Sequence, residues 1–203
     1  MSEESIGITA IVLAAGDSTR MGSQKLLLPF GGKTVVEHIV DTLLDTRVSS
    51  IIVVTGRDGE RIGEVLGNRD VSIVPNPDPD RGMLSSVRIG VEKMTTNDNA
   101  FMVLLGDQPA IQLDVVEALL QDFEKDKKGI CVPNYDGRRG HPILISMEFK
   151  DAVLNRYDDS GLRGLLREHS EMVRDVTVRE AWILDDMDYP EDYERELRRL
   201  GET

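Results

Sequence analysis

Short apolar runs alternate along the chain with longer segments whose apolar positions recur at helical spacing. Residues 8–13 and the β-branched run 51–55 read as buried strands, as do 101–105 and 130–133. A shorter strand is expected at 71–74 and a more alternating one at 173–178. After Thr34, placed to cap a helix, Val35, Val36, Ile39, Val40, Leu43 and Leu44 share one helical face up to about Asp45. Helices are also predicted over 59–66, through Ile89 and Val91 to about Met94, over 113–123 and 149–155, and from Pro190 to about Leu200. Pro190 suits the first helical position, and Glu191 and Asp192 suit the positive end of the helix dipole. Residues 134–140 form a turn in which Asp136-Gly137 signals a hairpin, and 141–145 is the returning strand. This alternation predicts an α/β fold, a three-layer Rossmann-like, mostly parallel sheet with right-handed crossovers and helices on both faces. No internal repeat, low-complexity stretch or linker interrupts it, so 1–203 is expected to form one domain.

Two strand ends carry residues that packing alone does not explain. The first strand empties into Leu13-Ala14-Ala15-Gly16-Asp17-Ser18-Thr19-Arg20-Met21-Gly22, with Lys25 close behind. Gly16 and Gly22 permit close backbone approach and positive φ, and successive N–H groups in such a loop form an anion nest. Gly-x5-Gly alone reads as a tight turn with two solvated cations. With Ala14-Ala15-Gly16, Arg20 and Lys25 in register, it reads as a seat for a polyphosphate. The strand 101–105 ends in Gly106-Asp107-Gln108-Pro109. An acid at the carboxyl end of a parallel strand lies where open α/β sheets bind ligands. Mg²⁺ takes one or two carboxylates plus substrate phosphates, so Asp107 is the first choice of metal ligand. The alternative is a turn or cap acid before Pro109. Gly31-Gly32-Lys33-Thr34 is not a P-loop, because Leu27 stands where that motif needs glycine and Pro29 argues against a long feeding strand. Asp185, Asp186 and Asp188 cannot all ionise comfortably unless solvated or met by a cation. As bare residues, Ser85 and Ser86 read as helix caps, and Asp159 or Ser160 as the cap of a later helix.

Composition narrows the partners. The net charge is −13, from 24 Lys+Arg against 37 Asp+Glu. General nucleic-acid binding needs basic patches and is not expected. An anionic substrate has to be met by local cations and metal, not by the overall field. Cys131, the single cysteine, permits no intrachain disulfide and reads as a small buried hydrophobe in its strand. The acidic start, Met1-Ser2-Glu3-Glu4-Ser5, does not resemble a signal peptide, and no apolar run approaches a membrane span. The expectation is a soluble cytoplasmic protein with no membrane partner.

The first loop resembles the signature L-A-[AG]-G-x-[GS]-x-R-[MF]-G-x2-K of the nucleotidyltransferase-A pyrophosphorylases, and within them it is most similar to the molybdenum cofactor cytidylyltransferases. Further along, Gly82-to-Ser86 resembles the family's base-reading loop, and Gly106-to-Pro109 its G-D-[QM]-P element. Gly140-His141-Pro142 resembles its G-H-P element on the acceptor side, and Asp159-to-Arg163 the segment near the acceptor phosphate, with Asp158 in place of a family glycine. Asp186-to-Tyr193 is close to D-[IM]-D-T-P-E-D-[YL], with Tyr189 where threonine is usual. The resemblance implies a nucleotide-diphospho-sugar transferase type of fold. It implies nucleotide contacts from Leu13, Ala14, Ala15, Gly16, Asp17, Ser18, Thr19, Arg20, Lys25, Gly82, Ser85 and Ser86. Acceptor contacts would come from His141, Asp159 and Arg163, catalytic roles from Arg20, Lys25 and Asp107, and Mg²⁺ ligation from Asp107 and Asp188. His141 stays open between a structural and an acceptor role, and Arg163 between an anion contact and a surface charge. The implied reaction joins the nucleotide of CTP to molybdopterin and releases pyrophosphate, with a molybdoenzyme or its accessory protein as partner. Ala15 in L-A-A-G, where guanylyl-transferring relatives tend to L-A-G-G, implies a pyrimidine preference; equal turnover of GTP and CTP would contradict it. Another phosphorylated acceptor (a sugar, polyol or alkyl phosphate) and a non-catalytic nucleotide-binding accessory protein are the alternatives.

Overall fold

The computed structural model describes residues 6–18 and 21–201. In chain order, β1 (Gly7–Ala14) leads through a hairpin of β2 (Pro29–Phe30) and β3 (Lys33–Thr34) to α1 (Val35–Leu44), β4 (Ser50–Thr55), α2 (Gly59–Leu66) and β5 (Ser72–Pro75). Then follow α3 (Met83–Lys93), β6 (Asp98–Leu105), α4 (Leu113–Glu124), β7 (Ile130–Tyr135), β8 (Arg138–Arg139), β9 (Ile143–Ser146), α5 (Lys150–Asn155), α6 (Gly161–Glu168), β10 (Val173–Thr177) and α7 (Pro190–Gly201). The main sheet runs β10-β7-β9-β6-β1-β4-β5, with β8 paired to the end of β7. Every neighbouring pair on that path is parallel except the two that involve β9.

The exception has a local cause. Asp136 and Gly137 both take positive φ, 49° and 78°, as a two-residue hairpin turn requires. The chain therefore folds straight back, and a short connection admits only antiparallel pairing. The predicted returning strand 141–145 is found as β9, starting at Ile143, and the predicted turn 134–140 holds a further short strand, β8. β8 pairs with Asn134 and Tyr135, while β9 pairs with β7 on one side and β6 on the other, with Gly140-His141-Pro142 between them.

Alternation along β1 sends Ile8, Ala10, Val12 and Ala14 to a core shared with α1, α2 and α4. Ile11 points to the opposite core, shared with α3, α5 and α6. This is the expected three-layer arrangement. Thr34 caps α1 in a full capping box with Glu37. Of the other expected caps, Ser160 is met in position only, and Ser85 and Ser86 not at all. Gly82 (φ 87°) occupies the cap of α3, so Ser85 and Ser86 lie inside its first turn. Ser160 stands at the cap of α6 without a side-chain cap bond, and Asp159 precedes it, exposed. Gly31 and Gly32 (φ 61° and 81°) form the β2–β3 hairpin, which disposes of any P-loop there. Among the described residues no helix is long and apolar enough to cross a membrane.

From β1 the sheet grows outward through β4 and β5, then the chain returns through α3 to place β6 on β1's other side. The carboxyl ends of β1 and β6 therefore face a crevice at the point where strand order reverses.

Candidate active site at the strand-order reversal

Each wall of this crevice is set by local chemistry. In the loop after β1, Ser18 takes φ 52° and Gly22 φ 67°. For a serine this conformation is uncommon, and the side chain explains it. Ser18 Oγ donates to Gln24 Oε1 (2.8 Å) and accepts from the Lys25 backbone N–H (3.1 Å). Gln24 in turn donates from Nε2 to Asp58 Oδ2 after β4 (3.0 Å). Asp17 turns toward the guanidinium of Arg57, which also reaches Asp80 (2.8 Å). Thr19 and Arg20, expected nucleotide contacts, lie outside the described residues.

At the end of β6, the Gly106 N–H donates to the Leu13 carbonyl (3.0 Å), and a Cβ on Gly106 would lie 2.6 Å from that oxygen. Glycine is what lets the two strand ends touch. Asp107 follows and faces Lys25. The Lys25 side chain is buried, and its Nζ donates to Asp107 Oδ2 (2.6 Å) and Asp188 Oδ1 (3.0 Å). Burial works to lower the pKa of this ammonium, but Asp107 and then Asp188 outweigh it and hold it above the ordinary lysine value. The other acids of the Asp185–Asp188 stretch are each met separately. Asp185 pairs with Arg199 (2.8 Å), and Asp186 accepts from Gln108 Nε2 (2.9 Å). Desolvation holds the Asp186 carboxyl above its usual range, helped by the charges of Asp107 and Asp188. The Met187 N–H donates to the Asp107 carbonyl (3.0 Å), so the two acid-bearing segments are joined through backbone.

The third wall is the turn before α3. Buried Asn76 donates from Nδ2 to Ser85 Oγ and Ser86 Oγ, both at 2.9 Å, and accepts from the Asp78 N–H (2.9 Å). Together the walls enclose about 370 Å³, lined by Leu13, Ala15, Gly16, Ser18 and Lys25 on one side and by Gly82, Ser86, Asp107 and Asp188 on the others.

Of the residues expected to bind nucleotide, Leu13, Ala15, Gly16, Ser18, Lys25, Gly82 and Ser86 therefore meet at one cleft with Asp107 and Asp188. Ala14 faces the core, Asp17 is engaged by Arg57, and Ser85 donates to the Gly82 carbonyl (2.8 Å); none of these three lines the cleft. The expected acceptor residues are not in its lining either. His141 lies beside it, near enough for the charges of Asp107 and Arg163 to act on its ring. Burial pulls its pKa down to about 4 against the pull of Asp107, with Arg163 adding to the depression. Arg163 is exposed and makes no ion pair with a described residue; Asp159 is also exposed. Asp107 and Asp188, the proposed metal pair, share one cation, and a hard divalent ion needs no more protein carboxylates than two when substrate phosphates complete its shell.

Gln24, Arg57 and Asn76 were not foreseen as parts of the site. Asn76 opens a Pro-rich turn, Asn76-Pro77-Asp78-Pro79, which signalled a turn but not its partners. Nothing in the sequence pairs Gln24 with Asp58 or Arg57 with Asp17.

A family described as the MobA-like NTP transferase domain matches residues 10–173. Asp188 lies beyond that span, so its place in the site rests on the geometry. Molybdenum cofactor cytidylyltransferase of Escherichia coli is 31% identical over 189 residues, covering 92% of this chain and 93% of its own length. Nicotine blue oxidoreductase of Paenarthrobacter nicotinovorans is 29% identical, with 94% and 96% covered. The crystal structure of Rv0371c from Mycobacterium tuberculosis superposes with a TM-score of 0.85 at 26% identity, covering 96% of this chain and 99% of that one.

Proposed function

The chain belongs to the MobA-like NTP transferase family, and on that premise we propose that it transfers a cytidylyl group from CTP to a phosphorylated acceptor, molybdopterin in first place, in the cytoplasm and with Mg²⁺. The observation that carries this reading is the meeting of Lys25, Asp107 and Asp188 at the strand-order reversal, in one cleft with Gly16 and Ser18 of the loop after β1.

The triphosphate would lie on the loop after β1, with Lys25 facing its β and γ phosphates and Arg20, by its place in the motif alone, supplying a second positive charge. Gly82 and Ser86 would bound the base, and the Ala15 methyl would crowd a purine more than a pyrimidine. Asp107 and Asp188 would hold Mg²⁺; when bound, such an ion neutralises charge and polarises the α-phosphate. An oxygen of the acceptor phosphate attacks the α-phosphorus in line. The bond from that phosphorus to the bridging oxygen of the β-phosphate breaks, and pyrophosphate leaves with the electron pair. The attacking oxygen is already anionic, so no general base is required. The chain's own contribution is positioning and charge neutralisation. Neutral His141 and unpaired Arg163 are offered as acceptor contacts, the first through hydrogen bonding and the second through charge. The same two residues would serve a sugar, polyol or alkyl phosphate equally well.

The purified protein is to be incubated with Mg²⁺, each of the four common NTPs and molybdopterin, and pyrophosphate release followed. Release is expected with CTP and to fall about 10²–10³-fold in Asp107→Ala. The oxidoreductase relative shows that family resemblance alone does not fix the chemistry. No pyrophosphate release with any of the four NTPs, and no protection from thermal unfolding by any of them, would overturn the transferase reading.

A further inference from the structure

The segment that carries Asp188 is held from both sides. On the sheet side, the Met187 N–H donates to the Asp107 carbonyl (3.0 Å), and the Met187 side chain is fully buried. On the helix side, Asp192 in the first turn of α7 receives two bonds on one oxygen. Its Oδ2 accepts from the backbone N–H of Asp188 (3.1 Å) and of Tyr189 (2.9 Å). Its other oxygen, Oδ1, accepts from Arg195 Nη1 one turn along (2.8 Å), which fixes the plane of the carboxylate.

An acid at the third helical position often takes the N–H of the residue just before the helix. That accounts for Tyr189, which directly precedes Pro190. It does not account for Asp188, one residue further out, whose N–H has no place in a capping box. The second bond ties down the peptide from which the Asp188 side chain departs. With Met187 anchored on its other flank, Asp188 is left only its own side-chain torsions with which to face Lys25 and Asp107.

We propose that Asp192, oriented by Arg195, is a positioning residue that sets the Asp188 carboxylate at the distance from Asp107 that a divalent cation bridging the two requires. The inference rests on the reading of Asp107 and Asp188 as metal ligands. Partners that orient metal ligands typically change affinity 10–100-fold when removed.

The test measures Mn²⁺ binding to the whole chain in the presence of a non-hydrolysable CTP analogue, from the paramagnetic resonance of free Mn²⁺, with thermal unfolding followed alongside. Asp192→Ala is expected to weaken Mn²⁺ binding about 10–100-fold. Asp192→Asn keeps an acceptor oxygen for both N–H groups and should recover most of the loss. Glu191→Ala removes an exposed neighbouring acid that serves only the helix dipole and should leave Mn²⁺ affinity unchanged. Asp192→Ala that melts earlier but binds Mn²⁺ like the wild type would make Asp192 a helix cap only, and Asp192→Asn as weak as Asp192→Ala would also overturn the proposal. Should Asp192→Ala not fold, Arg195→Met decides: weakened Mn²⁺ binding supports the proposal, and unchanged binding overturns it. Asp188→Asn separates the two levels. If it binds Mn²⁺ normally, the metal-site reading fails and this inference with it. If it binds weakly while Asp192→Ala does not, this inference alone fails.

Discussion

A lysine removed from water keeps its charge only where carboxylates replace the lost solvation, and Lys25 has two, Asp107 at 2.6 Å and Asp188 at 3.0 Å. The motif made Lys25 and Asp107 legible as candidate ligand-binding charges. It said nothing of their direct contact, because a pair 82 residues apart is joined only by the fold. His141 illustrates the converse. Its type suggested a group that titrates near neutrality, but burial takes its pKa to about 4. A histidine pKa lowered on folding favours the folded state when neutral. Its contribution is fully present above the ordinary histidine value near 6.5 and is lost as pH falls from there toward about 4. His141 should therefore act as a neutral hydrogen-bonding group. In His141→Ala, the KM for the acceptor is expected to rise roughly tenfold, the worth of about one hydrogen bond, while the KM for the nucleotide stays unchanged. The pH profile between roughly 6 and 8 should keep its shape, because no His141 ionisation falls there. A new ionisation within that range in the wild-type profile, absent from the variant, would contradict this. Cys131 was foreseen as buried, and burial does push its thiol up to about 12. Its contact with Arg174 Nη2 (3.1 Å) was not foreseen, because Arg174 comes from β10, the strand paired beside it.

Strands and helices were read closely because each is dictated by neighbours in sequence. Thr34 with Glu37 starts α1, Pro190 starts α7, and Asp136-Gly137 turns the hairpin. The failures fall where a tertiary partner overrides a local preference. Ser85 and Ser86 have the chemistry of caps, yet Asn76 recruits both hydroxyls, and Gly82 takes the cap position with a φ of 87°. Contacts between loops also explain glycines whose own turns did not require them. A Cβ on Gly56 would come within 2.5 Å of the Ala15 carbonyl oxygen, and one on Gly106 within 2.6 Å of that of Leu13. Both obstacles are backbone and cannot rotate away. Gly106→Ala is therefore expected to cost about 1–3 kcal/mol, as overpacking does, and to separate the Gly16 loop from Asp107. Chemical denaturation and nucleotide affinity should both register it. A variant of wild-type stability and affinity would mean that the strand ends adjust freely.

At the scale of the whole molecule, the site joins parts that the chain keeps far apart. Lys25 and Asp188 are 163 residues apart in sequence and 3.0 Å apart in space. A nucleotide seated there would touch the ends of β1 and β6 and the start of α3, and so stabilise the fold by mass action. At a hundredfold excess over Kd that is about 2.7 kcal/mol. For a chain of this length each kcal/mol raises Tm by roughly 2–4 °C, so Mg²⁺ with saturating CTP should raise Tm by roughly 5–10 °C. GTP should raise it less if the Ala15 methyl excludes purines, and thermal melts with each nucleotide check both expectations. With a net charge of −13, any such affinity has to come from local positive charge such as Lys25 and not from the overall field. By itself the sequence determined the layered α/β fold, the loop at the end of β1 and the acid at the end of β6. Hydrophobic period, turn chemistry and glycine placement are local properties, each written within a few neighbouring residues. Only the tertiary structure decided that β9 inserts antiparallel between β6 and β7, that Asn76 organises the turn before α3, that Arg57 engages Asp17, and that Asp192 restrains Asp188. Those facts depend on which side chains meet after the sheet has closed around β1, and the distance between two residues in space is not a property of either of their neighbourhoods in sequence.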